Sequence, residues 1–227
     1  MIVAPGSSFA ATAYDGTRSG TNGERNTYSV GLVRGAAARS WSMWAHVLGH
    51  NLGLKHAGGY RTADGVYQEF QDDAAMGFAR GRAHDMNVVS RDHLGWIAAK
   101  QTATYSAGAT LVRDVRALNE GPRNDGKVLM MKAHCDFCQS INPKTSSITG
   151  GEIFLSFRTQ DAKSNFGVAS MSGLYSVDHK PVALAERVHV HFQPSHARHS
   201  EMWTSLAAGD SFKLPGSTKH EALYIKV

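Results

Sequence analysis

His46-Val47-Leu48-Gly49-His50-Asn51-Leu52-Gly53-Leu54-Lys55-His56 is the stretch that decides how this chain is read. Residues four apart on an α-helix stack on one face, so His46 and His50 present their imidazoles from successive turns. Gly53 permits a sharp turn that a residue with a Cβ adopts only under strain. That turn brings His56 round as a third donor. Three protein ligands with a fourth position left open is how catalytic, rather than structural, zinc sites are built. The spacing therefore predicts one zinc ion held by His46, His50 and His56. The plainer alternative is three histidines scattered on a helix and loop of a chain that contains 12 of them. A lone His-x-x-x-His pair would leave that alternative standing, but the full pattern is far more specific.

Beyond the spacing, the wording of the stretch resembles a known group. The pattern is similar to the metzincin signature His-Glu-x-x-His-x-x-Gly-x-x-His, and Gly49-His50-Asn51-Leu52-Gly53-Leu54-Lys55-His56-Ala57 most resembles the gametolysin family of algal cell-wall metalloproteases. Ser40-Trp41-Ser42-Met43-Trp44 resembles that family's lead into the active-site helix. Asp72-Asp73-Ala74-Ala75-Met76-Gly77 resembles the Met-turn, with Met76 as the methionine beneath the zinc histidines. Leu94-Gly95-Trp96 resembles the tripeptide that closes the helix after that turn. Phe154-Leu155-Ser156-Phe157-Arg158 and Val188-His189-Val190-His191 resemble β-segments that follow the protease core. The resemblance runs from about residue 3 to the C-terminus, is strongest between 40 and 96, and is weak beyond 100.

The resemblance implies an α+β fold: a partial metzincin-like zincin catalytic domain over residues 1–100, then a β-rich, sandwich-like part over 101–227. It also implies a zinc metalloendopeptidase, a hydrolase of protein or glycoprotein substrates in an extracellular matrix or cell wall. An extracellular or cell-wall location goes with that activity.

Two departures qualify this. In the family, a glutamate after the first histidine takes a proton from the zinc-bound water and passes it to the leaving amine. Here Val47 occupies the general-base position, so no catalytic residue is intact there. Losing a general base typically costs about 10²–10⁴ in rate, while a zinc ion can still polarise a carbonyl. Asp72, Asp73 and Glu69 are the nearest substitute carboxylates, and nothing in their spacing places them beside the metal. The second departure is length. Only 45 residues, rich in Gly, Ser and Thr, precede His46, and Met1-Ile2-Val3-Ala4-Pro5 reads as an interior strand. The expectation is a catalytic domain truncated at its N-terminal side, with a normally paired sheet edge exposed.

Composition is that of a globular chain: 227 residues, 42% hydrophobic and 19% charged. There is no run of 18 apolar residues and hence no membrane span, and no apolar N-terminal segment that reads as a signal peptide. No Asn-x-Ser/Thr sequon occurs. The net charge of +5 is spread along the chain without a basic cluster or aromatic interleaving, so no nucleic-acid partner is expected.

A coarse pass predicts a strand over 1–12, a short strand near Tyr28 to Val33, and the zinc helix over about 40–52, capped by Ser40 or Ser42. Residues 57–75 read as a long loop walling the site, and 88–99 as a second helix with Ser90 as cap. Strand-like runs follow at Thr110 to Val115, Lys127 to Lys132, Glu152 to Phe157, Gly173 to Val177, Val188 to Phe192 and Leu223 to Val227. Cys135 and Cys138, beside His134, form half of a zinc site, a loop disulfide or two free thiols. His189 and His191 share a strand face and, with His196 and His199, offer a second metal set or a structural group.

Three functions remain open on the sequence alone. They are a zinc endopeptidase with weakened chemistry, a zinc-binding pseudoprotease that serves as a peptide-binding module, and a fragment without function.

Overall fold

The computed structural model describes residues 2–4, 11–13, 18–19, 27–28, 31–34, 41–72, 78–79, 82–83, 86–106, 109–159, 175–197, 199–215 and 224–227. Five short strands come first: β1 (Ile2–Ala4), β2 (Ala11–Ala13), β3 (Arg18–Ser19), β4 (Thr27–Tyr28) and β5 (Gly31–Arg34). Helix α1 (Trp41–Asn51) precedes β6 (Ala57–Tyr60), β7 (Tyr67–Asp72), β8 (Phe78–Ala79) and β9 (Arg82–Ala83). Helix α2 (Val88–His93) is followed by β10 (Thr102–Tyr105), β11 (Met130–Gln139) and β12 (Thr149–Arg158). The last described strands are β13 (Arg187–Pro194), β14 (Ser200–Leu206), β15 (Ser211–Lys213) and β16 (Tyr224–Lys226).

The chain is α+β and rich in strand, as expected. One seven-stranded sheet, in the order β10-β11-β12-β13-β14-β6-β7, organises it. Alternation along β12 divides its two faces, with Ile153 on one side and Phe154 on the other. On the first face Ile153, Val190, Phe192 and Trp203 pack with Phe212 and Leu214, so the β15–β16 pair covers that side. The Phe192 and Trp203 rings lie 4.5 Å apart. On the second face Met130 and Phe154 pack against Val88 and Val89 of α2, together with Ile97 and Leu118. Near the start, β1, β5 and β2 form a separate three-stranded sheet, and α1 packs on β2 and β5.

The sheet crosses residue 100, where the sequence suggests a domain division, because β6 is paired in parallel with β14 through Ala57↔Ser200 and Gly58↔Glu201. The expected 57–75 loop is instead largely the antiparallel β6–β7 hairpin. Its signals were Asp64-Gly65, with Gly65 at φ +75°, and Gly58, whose missing Cβ leaves the space that the Tyr67 ring fills. Helix α2 is shorter than the expected 88–99. Gly95 at φ +69° terminates it, with Trp96 N–H donating to the Arg91 carbonyl at 2.9 Å. Its cap is Asn87, whose side chain accepts from Ser90 N–H at 2.9 Å, and not Ser90 itself. No strand forms over 110–115, where Val115 makes only an isolated bridge to Val128. Beyond residue 100, strands β10, β14 and β15 form where the sequence gives no strand signal. Strand β14 alternates poorly because nearly every residue in it is buried.

Candidate metal centre

Helix α1 ends in a way that local chemistry dictates. Leu54 N–H donates to the Gly49 carbonyl at 3.0 Å and Gly53 N–H to the His50 carbonyl at 2.9 Å. These two bonds form a Schellman motif, which places Gly53 in the left-handed region at φ +86°. A Cβ on Gly53 would also stand 3.3 Å from His93 Nε2, a tight contact that adds to the demand the backbone angle makes for glycine. The chain leaves the turn through Leu54, only 2% exposed, and enters β6 at Ala57 directly after His56. His56 is therefore held between a helix end and a sheet strand.

The outcome is convergence. The ligand atoms of His46, His50 and His56 all lie within 4.8 Å of one another, and the three could hold a metal ion. His56 Nε2 stands 3.3 Å from His46 Nε2. The rings of His46 and His50 are edge-on with centroids 4.8 Å apart, while those of His46 and His56 are stacked at 5.2 Å. His50 Nδ1 lies 3.0 Å from the Leu54 carbonyl, which can only accept. Nδ1 therefore carries the proton and Nε2 keeps its lone pair for a metal.

The electrostatics agree with a ligand role. Burial, and then the neighbouring His50 and His56, lower the His46 pKa from 6.5 to about 4. Burial and His50 also lower that of His56, against an opposing pull from Glu69. Both imidazoles are thus neutral near pH 7, so a cation need not displace a proton to bind.

The remaining sequence candidates separate clearly. Val47, at the position where the family resemblance leads one to expect a general base, is 1% exposed, a buried aliphatic residue with no ionisable group. Glu69, whose spacing gave no reason to put it at the site, has Oε1 3.4 Å from His56 Nδ1. The signal that places it is the register of β7, which sequence spacing does not reveal. Asp72 ends β7, paired with Ala57. Asp73 and Met76, the methionine expected in a Met-turn, lie outside the described residues.

Cys135 and Cys138 form a disulfide, so the second-zinc and free-thiol alternatives for this pair fall away. The bridge spans the irregularity in the β11–β12 pairing between Cys135 and Gln139 and is buried in the sheet core. His189 and His191 are buried on β13 with ring centroids 6.1 Å apart, and His189 Nε2 donates to the Leu184 carbonyl at 2.7 Å. His199 turns instead toward Glu201, 3.5 Å away. Among the described residues, His46, His50 and His56 are the group that meets the geometry of a metal site. No helix among the described residues is long and apolar enough to cross a membrane. No family model matches this chain, and no curated protein or solved structure matches it either.

Proposed function

We propose that this chain holds one zinc ion on His46, His50 and His56 and is a gametolysin-like, metzincin-type peptidase centre whose hydrolytic chemistry is impaired. The observation that carries the reading is the 3.3 Å between His46 Nε2 and His56 Nε2. Two nitrogens bound at about 2.0–2.1 Å in a tetrahedron stand about 3.3–3.4 Å apart, so the pair already has the spacing zinc requires. When bound, zinc would supply Lewis-acid polarisation of a peptide carbonyl and a water of lowered pKa.

The chain's own residues do the rest, up to a point. His50 is held in the correct tautomer by Leu54, and the His46 and His56 rings are neutral and half-buried. Among the described residues neither candidate serves as a proton acceptor on the Nε2 side, because Val47 cannot take a proton and Glu69 faces the Nδ1 side of His56. This favours a second reading, a zinc-bearing pseudoprotease that binds protein or glycoprotein chains without cutting them. The buried disulfide supports an oxidising, extracellular or cell-wall setting for either reading. A metzincin-like core within residues 1–100 remains part of the proposal, sharing its main sheet with the β-rich 101–227 part.

The test is metal stoichiometry on the purified chain, followed by peptidase assays of the wild type beside Val47→Glu. One zinc per chain is expected, and substoichiometric metal would sink both zinc readings. Turnover by the wild type equal to that of a folded Val47→Glu variant would show that the missing base does not limit activity. Because Val47 is buried, the melting temperature of the variant has to accompany the assay.

A further inference from the structure

The contact between Glu69 and His56 is produced by a defect in strand pairing. In the β6–β7 hairpin, Tyr60 pairs with Tyr67 and Gly59 with Gln68, but Ala57 pairs with Asp72. Residues 69–71 of β7 therefore oppose only Gly58 on β6. Such a bulge interrupts the alternation of a strand and re-aims the side chain it contains. Here it sets Glu69 Oε1 3.4 Å from His56 Nδ1, on the opposite ring nitrogen from the one that faces His46 at 3.3 Å. A regular hairpin would keep β7 in step with β6 and would not supply this extra chain beside Ala57, the residue after His56.

We propose that Glu69 is a positioning residue of the metal centre: its carboxylate accepts the Nδ1 proton of His56 and fixes that ring with Nε2 toward the ion. The inference rests on the zinc reading above and adds the group that orients its third ligand. Its physical basis is general. A metal drawing electron density from Nε2 makes the Nδ1 proton a better donor, so a carboxylate on that side raises ligand basicity and locks the tautomer. His50 has a carbonyl for the same purpose, that of Leu54 at 3.0 Å. For His56, which lies beyond the helix end, the bulge brings a carboxylate to the same ring nitrogen, at 3.4 Å.

Glu69 is itself restrained from its other oxygen. Lys144 Nζ stands 3.6 Å from Glu69 Oε2. Lys144 belongs to the 140–145 segment, which is anchored on the buried Glu201 carboxylate. Glu201 accepts from Ser140 Oγ–H, from Ile141 N–H at 2.9 Å and from Asn142 N–H at 3.3 Å. Partial burial pushes the Glu69 pKa up, but hydrogen bonding and charge from His56, then Lys144, outweigh it and bring the value below normal.

The experiment is zinc affinity by chelator competition on the full chain, for wild type, Glu69→Ala, Glu69→Gln and Lys144→Ala. Loss of an orienting partner of a ligand typically weakens metal binding by about 10–100-fold, and Glu69→Ala is expected to fall in that range. Glu69→Gln keeps an acceptor oxygen and should recover part of the loss. Lys144 is mostly exposed, so Lys144→Ala should shift affinity less than either. The melting temperature of each metal-free variant reports any purely structural effect, and it should stay near the wild-type value. The visible spectrum of the cobalt-substituted protein should change for Glu69→Ala, because the geometry of a ligand changes. Wild-type affinity in Glu69→Ala overturns the proposal while leaving the zinc site intact. A wild type that binds no zinc overturns both.

Discussion

Among the described residues, two groups of histidines bring imidazoles together, and their surroundings differ. His46, His50 and His56 lie where a helix end meets the start of β6, and His189 and His191 lie in the middle of β13. Both arrangements put imidazoles on one face. On the helix, a rise of about 1.5 Å per residue and the Gly53 turn bring three nitrogens to one point. On the strand, neighbours two apart are separated by roughly 6–7 Å, and the observed 6.1 Å between rings follows from that spacing. The strand pair is also sealed inside the sheet, with the His189 Nε2 proton committed to the Leu184 carbonyl. Histidine count does not make a metal centre. Convergence of lone pairs does, and only a change of chain direction achieves it here.

Replacing both His46 and His50 with alanine should break the contrast most severely. Zinc affinity is expected to fall by at least about 10³-fold, in keeping with the large binding energies of zinc sites. His189→Ala should leave zinc stoichiometry unchanged but lower the urea midpoint, because it opens a cavity and orphans a buried carbonyl at a cost of roughly 2–3 kcal/mol. Isothermal titration and urea unfolding on the two variants separate these outcomes, and loss of zinc in the His189 variant would dissolve the distinction.

A second contrast lies between the carboxylates. Glu201 is wholly buried and accepts from Ser140, Ile141, Asn142 and Trp203, whereas Glu69 is 49% exposed and meets His56 and Lys144. Glu201→Ala strands several buried donors, so we expect a stability loss of roughly 3 kcal/mol by urea denaturation. Glu69→Ala should show almost none. Equal stability losses would show that both carboxylates hold the fold in the same way.

Smaller effects come from the turn and from protons. Gly53→Ala forces a Cβ into the left-handed region and against His93, at a cost of about 1–2 kcal/mol, and it should loosen zinc because His56 follows the turn. In the metal-free chain, His46 has a folded pKa of about 4 against 6.5 unfolded. The unfolded state therefore binds this proton first. The contribution is fully present above pH 6.5 and is lost as pH falls toward about 4. His46→Asn should flatten that acid limb in urea midpoints measured across the window, and an unchanged limb would mean that other groups produce it.

Much of the centre could be read directly from the chain. The i, i+4 spacing of His46 and His50 and the glycine that ends the helix are local facts, set within one helical turn and one residue's φ, and the structure realises them. The closure of α2 at Leu94-Gly95-Trp96 is local in the same sense. What spacing could not supply is whatever depends on pairing between distant segments. Strand β14 reaches back about 140 residues to β6 through Ser200↔Ala57, and this pairing gives His56 a fixed base. The bulge that aims Glu69 exists only in the register between β6 and β7, and the Cys135–Cys138 bridge follows from an irregularity shared with β12. Helical geometry and backbone sterics act over a few residues, so sequence alone determined the histidine pair and its turn. Register and layer packing are settled by which long-range pairs bury the most surface, so only the tertiary structure decided which carboxylate and which strand complete the centre.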